Sequence, residues 1–169
     1  MGNSSITAKH HIFLTYCHEI VGIAMKWLVQ QHFPYSAIGE ARNFQQALAA
    51  LPQQEYDLVV LDAELSDSNH LLGALQHIRS VSPRTKILIF SELDEAVYGP
   101  KYRAFGSNGF LPKKADIDRI VTTIRSALSG EAETGANPRL LARNLTGREA
   151  EITEMLVRGI PLAEIGRQM

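Results

Sequence analysis

The chain is short of several things that would assign it to a class at once. A single cysteine in 169 residues excludes an internal disulfide, and with it the disulfide-stapled secreted domain, so a reducing, cytoplasmic setting is the default. No stretch approaches the roughly 18 consecutive apolar residues of a membrane span, and the N-terminus lacks a basic-then-apolar leader pattern. Charge of one sign is missing as well. The formal net charge is −1, with Lys and Arg matching Asp and Glu twelve to twelve through Ser129 and five to six from Gly130 onward. A nucleic-acid-binding face needs a concentrated positive patch to release counterions, and neither part supplies one. An apolar content of 45% is still ordinary for a globular protein with a buried core. The length has room for one domain of roughly 100–150 residues and a tail.

What is present is organised around Tyr56-Asp57-Leu58-Val59-Val60-Leu61-Asp62-Ala63-Glu64-Leu65. A short apolar run rich in β-branched residues and bounded by polar ones reads as a strand buried on both faces, as in the middle of a parallel sheet. Asp62 then stands at its carboxyl end, the edge of an open α/β sheet where loops and helix N-termini converge.

Residues 1–8 read as a loose terminus. A strand from His10, a helix over about His18 to His32 and a strand over Ser36 to Ala41 come next. In the first helix Ile20, Ala24, Trp27 and Leu28 share one face and read as core. Phe44, Ala47, Leu48 and Leu51 mark a second helix stopped by Pro52. After the central strand comes a loop, Leu65 to His70, and then Leu71, Leu72, Leu75 and Ile78 at helical spacing. Lys86-Ile87-Leu88-Ile89-Phe90-Ser91 repeats an apolar strand ending on a small polar residue, which puts Ser91 on the same edge as Asp62. Gly99-Pro100 falls inside the next helix and predicts a broken or shortened first turn. Gly109-Phe110-Leu111-Pro112-Lys113 is a fifth strand. Ile117, Ile120, Val121, Ile124 and Leu128 form a last amphipathic helix, with Asp116 at its start and Gly130 as its cap.

Five strand–helix alternations predict a doubly wound α/β fold: a flavodoxin-like (βα)5 parallel sheet with helices on both faces and right-handed crossovers. The expected boundaries are a domain over 9–129, a linker over 130–143 and a partial all-α segment over 144–169. In that segment Thr146 and Glu149 have capping-box spacing, and Ile152, Met155 and Leu156 form an apolar face.

These residues resemble response regulators of two-component signalling, in particular the NarL/LuxR type, in which a CheY-like receiver is followed by a helix-turn-helix output domain. The resemblance rests on Val59-Val60-Leu61-Asp62, Ile89-Phe90-Ser91, Gly109-Phe110-Leu111-Pro112-Lys113 and Ile38-Gly39-Glu40-Ala41 leading into Ala47-Leu48. Leu145-Thr146-Gly147-Arg148-Glu149 and Leu162-Ala163-Glu164-Ile165 look like the opening helices of the output domain. The resemblance implies that Asp62 is the phosphoacceptor position for a histidine kinase. It makes Ser91 and Phe110 the switch positions and Lys113 the partner of the phosphate charge. A phosphate adds up to two negative charges and three acceptor oxygens, so these contacts strengthen only in the modified state. It also places the DNA-reading helix beyond Met169, so the expectation is a shortened gene product that does not bind DNA specifically.

One departure is decisive for the chemistry. The family carries two adjacent acids after the first strand to hold Mg²⁺, together with the carbonyl of the residue at Glu64. Here the acid positions are Tyr16 and Cys17. Magnesium binds through carboxylates and other hard oxygens, and phosphoryl transfer leans on it to neutralise developing charge. The expectation is therefore an atypical regulator without a metal or other cofactor, in which phosphorylation at Asp62 is doubtful. The bland alternatives stay open. Asp62 reads equally as a strand-end residue paired with Lys113, and Ser91 and Phe110 as a strand-end hydroxyl and a core aromatic. Cys17 reads as small filler or as a thiolate activated by Lys113 and a helix N-terminus. Adjacent Cys17 and His18 are unpromising as joint zinc ligands with Asp62. The alternative function is a phosphorylation-independent dimerisation or protein-interaction module on the same scaffold, with the first or last helix as homodimer face. An enzyme is not expected, because Tyr16-Cys17-His18-Glu19 is not a phosphate-cradling glycine-rich loop.

Overall fold

The computed structural model describes residues 9–65 and 68–130. The readings for residues 1–8 and 131–169, including most of the linker and all of the helix-turn-helix segment, lie outside the described residues. In chain order the elements are β1 (His10–Thr15), α1 (Glu19–His32), β2 (Ser36–Ala41), α2 (Phe44–Ala50), β3 (Leu58–Asp62), α3 (Ser68–Val81), β4 (Lys86–Ser91), α4 (Glu95–Ala104), β5 (Gly109–Pro112) and α5 (Ile117–Ser129). The strands form one parallel sheet in the order β2-β1-β3-β4-β5. This is the flavodoxin-like arrangement that the alternation predicts.

β3 lies at the centre and is buried along its whole length. Its side chains alternate between two cores because successive strand residues point to opposite faces. Val59 and Leu61 join Phe13, Ile87, Ile89 and Phe110 against the helices α2, α3 and α4. Leu58 and Val60 join Ile12, Leu14, Leu88 and Phe90 against α1 and α5. Asp62 is paired with Phe90 in register, and Ser91 follows on the same edge.

Three local readings change. First, α1 turns a different face inward. Gly22, Met25, Leu28 and Val29 are buried, whereas Ile20 is 73% and Trp27 57% exposed and Ala24 is exposed. Helical spacing fits both faces, since apolar residues run nearly all the way round this helix. The Tyr16 ring decides between them. It lies where a side chain on residue 22 would stand, and a Cβ there would come within 2.3 Å of the Tyr16 ring. Glycine therefore faces the ring, and Trp27 is carried outward.

Second, α4 keeps its first turn despite Pro100. The Asp94 side chain accepts from the Ala96 N–H, the helix runs unbroken to Ala104, and the proline sits past the turn it was expected to break. Third, the segment after β3 is more regular than a loop. A 3₁₀ turn over Ala63–Leu65 leads towards α3, which begins at Ser68. α5 behaves as read: Asp116 caps it by accepting from the Arg119 N–H, and Gly130 ends it in the left-handed conformation at φ 80°.

Candidate functional site

The site lies at the carboxyl edge of β3, and Asp62 is its centre. Its side chain is fully buried, and its backbone is anchored by a residue the sequence reading passed over. The Thr15 hydroxyl, itself buried, accepts from the Asp62 N–H at 2.8 Å and donates to the Val60 carbonyl at 3.3 Å. One carboxylate oxygen, Oδ1, accepts from the Glu64 N–H at 2.9 Å. The other, Oδ2, faces the end of β1, where the Cys17 N–H lies at 3.3 Å and the thiol Sγ at 3.6 Å.

Lys113, just past β5, supplies the counter-charge. Its Nζ lies 3.0 Å from Asp62 Oδ1, 3.1 Å from Oδ2 and 2.6 Å from Glu64 Oε2, and 5.4 Å from the centre of the Phe90 ring. Burial alone would lower the Lys113 pKa, but the hydrogen bonds and charges of Glu64 and Asp62 outweigh it and the pKa is raised. Burial likewise pushes Glu64 upward; Lys113 and the Glu92 N–H, 3.2 Å from Glu64 Oε1, more than reverse this, so its pKa is lowered. Glu64 thus enters the site through its carboxylate, where the family resemblance pointed to its carbonyl. Its position two residues after Asp62 was the available signal.

Ser91 is fully buried beside this pocket. Its hydroxyl accepts from the Leu93 N–H at 3.1 Å, and its carbonyl accepts from the Lys113 N–H at 2.8 Å. Phe110 is buried in the α2–α4 core and stacks on Tyr102 with ring centres 6.1 Å apart. The structure therefore gathers Asp62, Glu64, Cys17 and Lys113 into one cluster and puts Ser91 on the adjoining edge, while Phe110 lies in the core with Tyr102.

Tyr16 is not in the cluster. Its ring packs against Gly22 and its hydroxyl donates to Glu40 Oε2 at 2.7 Å, where Lys26 Nζ also binds at 2.8 Å. Burial and the Glu40 hydrogen bond push the phenol's pKa up, while Lys26 and Tyr16 together pull that of Glu40 down. Cys17 is exposed, and its Sγ lies 2.8 Å from His18 Nδ1. Partial desolvation of the sulfur against the protein and the charge on Asp62 raise its pKa, with Lys113 opposing.

The donors do not match what magnesium takes, which is an octahedral shell of oxygens at roughly 2.0–2.1 Å. Of the two positions beside Asp62, one turns its oxygen away to Glu40 and the other presents sulfur.

Residues 18–125, more than half of the chain, match the response regulator receiver domain. Among curated proteins, the fimbriae Z protein of Salmonella typhimurium is 26% identical over 164 residues, spanning 90% of this chain and 78% of that protein. The nitrate/nitrite response regulator protein NarL of Escherichia coli is 26% identical over 169 residues, spanning 90% and 77%. A solved LuxR-family two-component response regulator from Aurantimonas sp. SI85-9A1 superposes with a TM-score of 0.66 at 23% identity, over 86% of this chain and 98% of that one. The fold, the pocket at the end of β3 and the family match agree: the chain belongs to the response regulator receiver family.

Proposed function

We propose that this protein is an atypical two-component response regulator whose receiver does not rely on ordinary magnesium-dependent phosphorylation of Asp62 to modulate a DNA-binding transcriptional output. Receivers of this family work with histidine kinases, and regulation rather than catalysis is the role we assign. One observation carries the reading: Lys113 is held between Asp62 and Glu64 while the flanking positions offer a thiol and a phenol turned away. Asp62 keeps the acceptor position and Lys113 the charge partner. Ser91 and Phe110 keep the switch positions. What the pocket lacks is the oxygen set that would hold magnesium beside Asp62.

On this reading residues 9–129 form the receiver, 130–143 the linker and 144–169 the first part of the output domain, and the setting is cytoplasmic. Among the described residues no helix is long and apolar enough to cross a membrane. Intact-mass measurement after incubation with a small phosphodonor and Mg²⁺ tests the proposal, with Asp62→Asn as control. The unmodified mass is expected. A stoichiometric adduct that depends on Asp62 overturns it.

A second reading has its own support in the exposed face of α1. Ile20, Ile23, Ala24 and Trp27 stand in solvent at i, i+3, i+4 and i+7, a stripe that suits a phosphorylation-independent homodimer or protein contact. Sedimentation with and without a phosphate mimic separates the two. An oligomer indifferent to the mimic and abolished by Trp27→Glu favours the module.

A further inference from the structure

We infer that a groove at the amino edge of the sheet, opposite the Asp62 pocket, binds a small planar aromatic carboxylate. The site is independent of the Asp62 chemistry. It lies where β1 and β2 begin and where α1 and α5 end, and has a volume of about 570 Å³, which suits a small organic molecule. Three segments build it. The turn between α1 and β2 supplies Phe33 and Tyr35, the last turns of α5 supply Arg125 and Leu128, and the entry to β1 supplies Lys9. The Lys9 N–H donates to the Tyr35 carbonyl at 2.7 Å, and His10 pairs with Ser36 in register, which ties the strand entry to the turn.

Two independent observations point to a ligand. The first is charge without a partner. Among the described residues no Asp or Glu lines the groove, and neither Lys9 nor Arg125 forms an ion pair or a side-chain hydrogen bond. Nor are these cations spent on the helix ends. The Phe33 N–H closes α1 on the Val29 carbonyl, and the Gly130 N–H closes α5 on the Ala127 carbonyl. The Arg125 guanidinium instead lies over Phe33, 5.9 Å from the ring centre, a placement that steadies the fork and leaves its N–H groups open. The second observation is a hydroxyl with nothing to bond. Among the described residues three side-chain polar atoms are shut away without a partner, and one of them, Ser36 Oγ, belongs to the wall of this groove. An unpaired buried hydroxyl is costly. Turned towards the groove, it donates to an acceptor seated there.

The lining selects the ligand. Phe33, Pro34, Tyr35 and Leu128 give apolar walls, and Tyr35 is 60% exposed, so a flat ring gains contact area there. A carboxylate on that ring meets the Arg125 fork, whose parallel N–H groups match its two oxygens, while Lys9 adds a point charge. A metal ion does not fit a lining without acids. A nucleic acid needs a longer positive track than two fixed cations provide.

The test titrates the whole isotope-labelled 169-residue chain with naphthoate and follows the backbone amide resonances. Naphthamide, the same ring without the charge, is the comparison. Expected are saturable shifts at Lys9, Tyr35, Ser36 and Ser129, with one ligand per chain and an affinity that falls as salt rises. Arg125→Gln, and separately the change to naphthamide, are each expected to weaken binding by about tenfold through loss of a charge-assisted pair. Ser36→Ala is expected to weaken it by about fivefold. An otherwise unchanged amide spectrum shows that each variant is folded. Absence of saturable shifts, shifts centred instead on the exposed Trp27 face of α1, or an affinity that Arg125→Gln leaves unchanged overturns the inference.

Discussion

Lys113 carries more of the pocket's electrostatics than any other single residue. Its ammonium faces Asp62, whose side chain is fully buried, and removing it leaves that carboxylate uncompensated. Breaking one partner of a buried pair costs far more than the pair itself is worth. Lys113→Met is therefore expected to destabilise the domain by about 3 kcal/mol at neutral pH, read from urea unfolding. A second consequence follows from the depressed pKa values of Glu40 and Glu64. A carboxylate whose pKa is lower folded than unfolded binds fewer protons in the native state, so its contribution is fully present above the unfolded value of about 4.3 and is lost as pH falls through the folded one. Unfolding free energy is expected to drop below about pH 4, and Glu40→Gln to reduce the size of that drop, in denaturant titrations across the acid range.

At the scale of elements, α1 shows how one sequence pattern admits two structures. Leu28 is buried while its neighbour Trp27 is 57% exposed, so the two substitutions should separate sharply. Leu28→Ala is expected to cost about 3 kcal/mol from lost burial and the cavity left behind. Trp27→Ala should change stability by no more than about 0.5 kcal/mol. Thermal or urea unfolding of the two variants side by side checks the assignment. β3 was legible because its run of apolar residues has only one reading, a strand covered on both faces. α1 was not, because periodicity reports that a helix has an apolar face and does not say which of two such faces meets the sheet. The first turn of α4 survives for a local reason: Asp94 caps it by accepting from the Ala96 N–H, and Pro100 lies beyond the residues the cap organises.

For the molecule as a whole, the two edges of the sheet are held by opposite devices. At the carboxyl edge Lys113 draws Asp62 and Glu64 together. At the other edge Arg79, in the last turn of α3, reaches under β4 and β5. It donates to the Gly106 carbonyl at 2.8 and 2.6 Å, to the Thr85 carbonyl at 2.5 Å and to Asn108 Oδ1 at 2.5 Å. Asn108 Oδ1 in turn accepts from the Ile87 N–H at 2.9 Å. Arg79→Met strands several carbonyls in a partly buried position and is expected to cost about 3 kcal/mol. Urea unfolding of the variant beside the parent protein checks this.

The sequence by itself determined the order of elements, the parallel sheet, the central place of Asp62 and the shared edge of Asp62, Ser91 and Lys113. Those follow from local periodicity and from strand ends, which are written in neighbouring residues. Only the tertiary structure decided that Tyr16 turns to Glu40, that Cys17 and the Glu64 carboxylate converge on Asp62, that Thr15 anchors the strand end and that Trp27 faces solvent. Each of these joins residues far apart in the chain, or depends on the rotation of one element against another. Packing sets such relations, and no pattern along a single segment contains them.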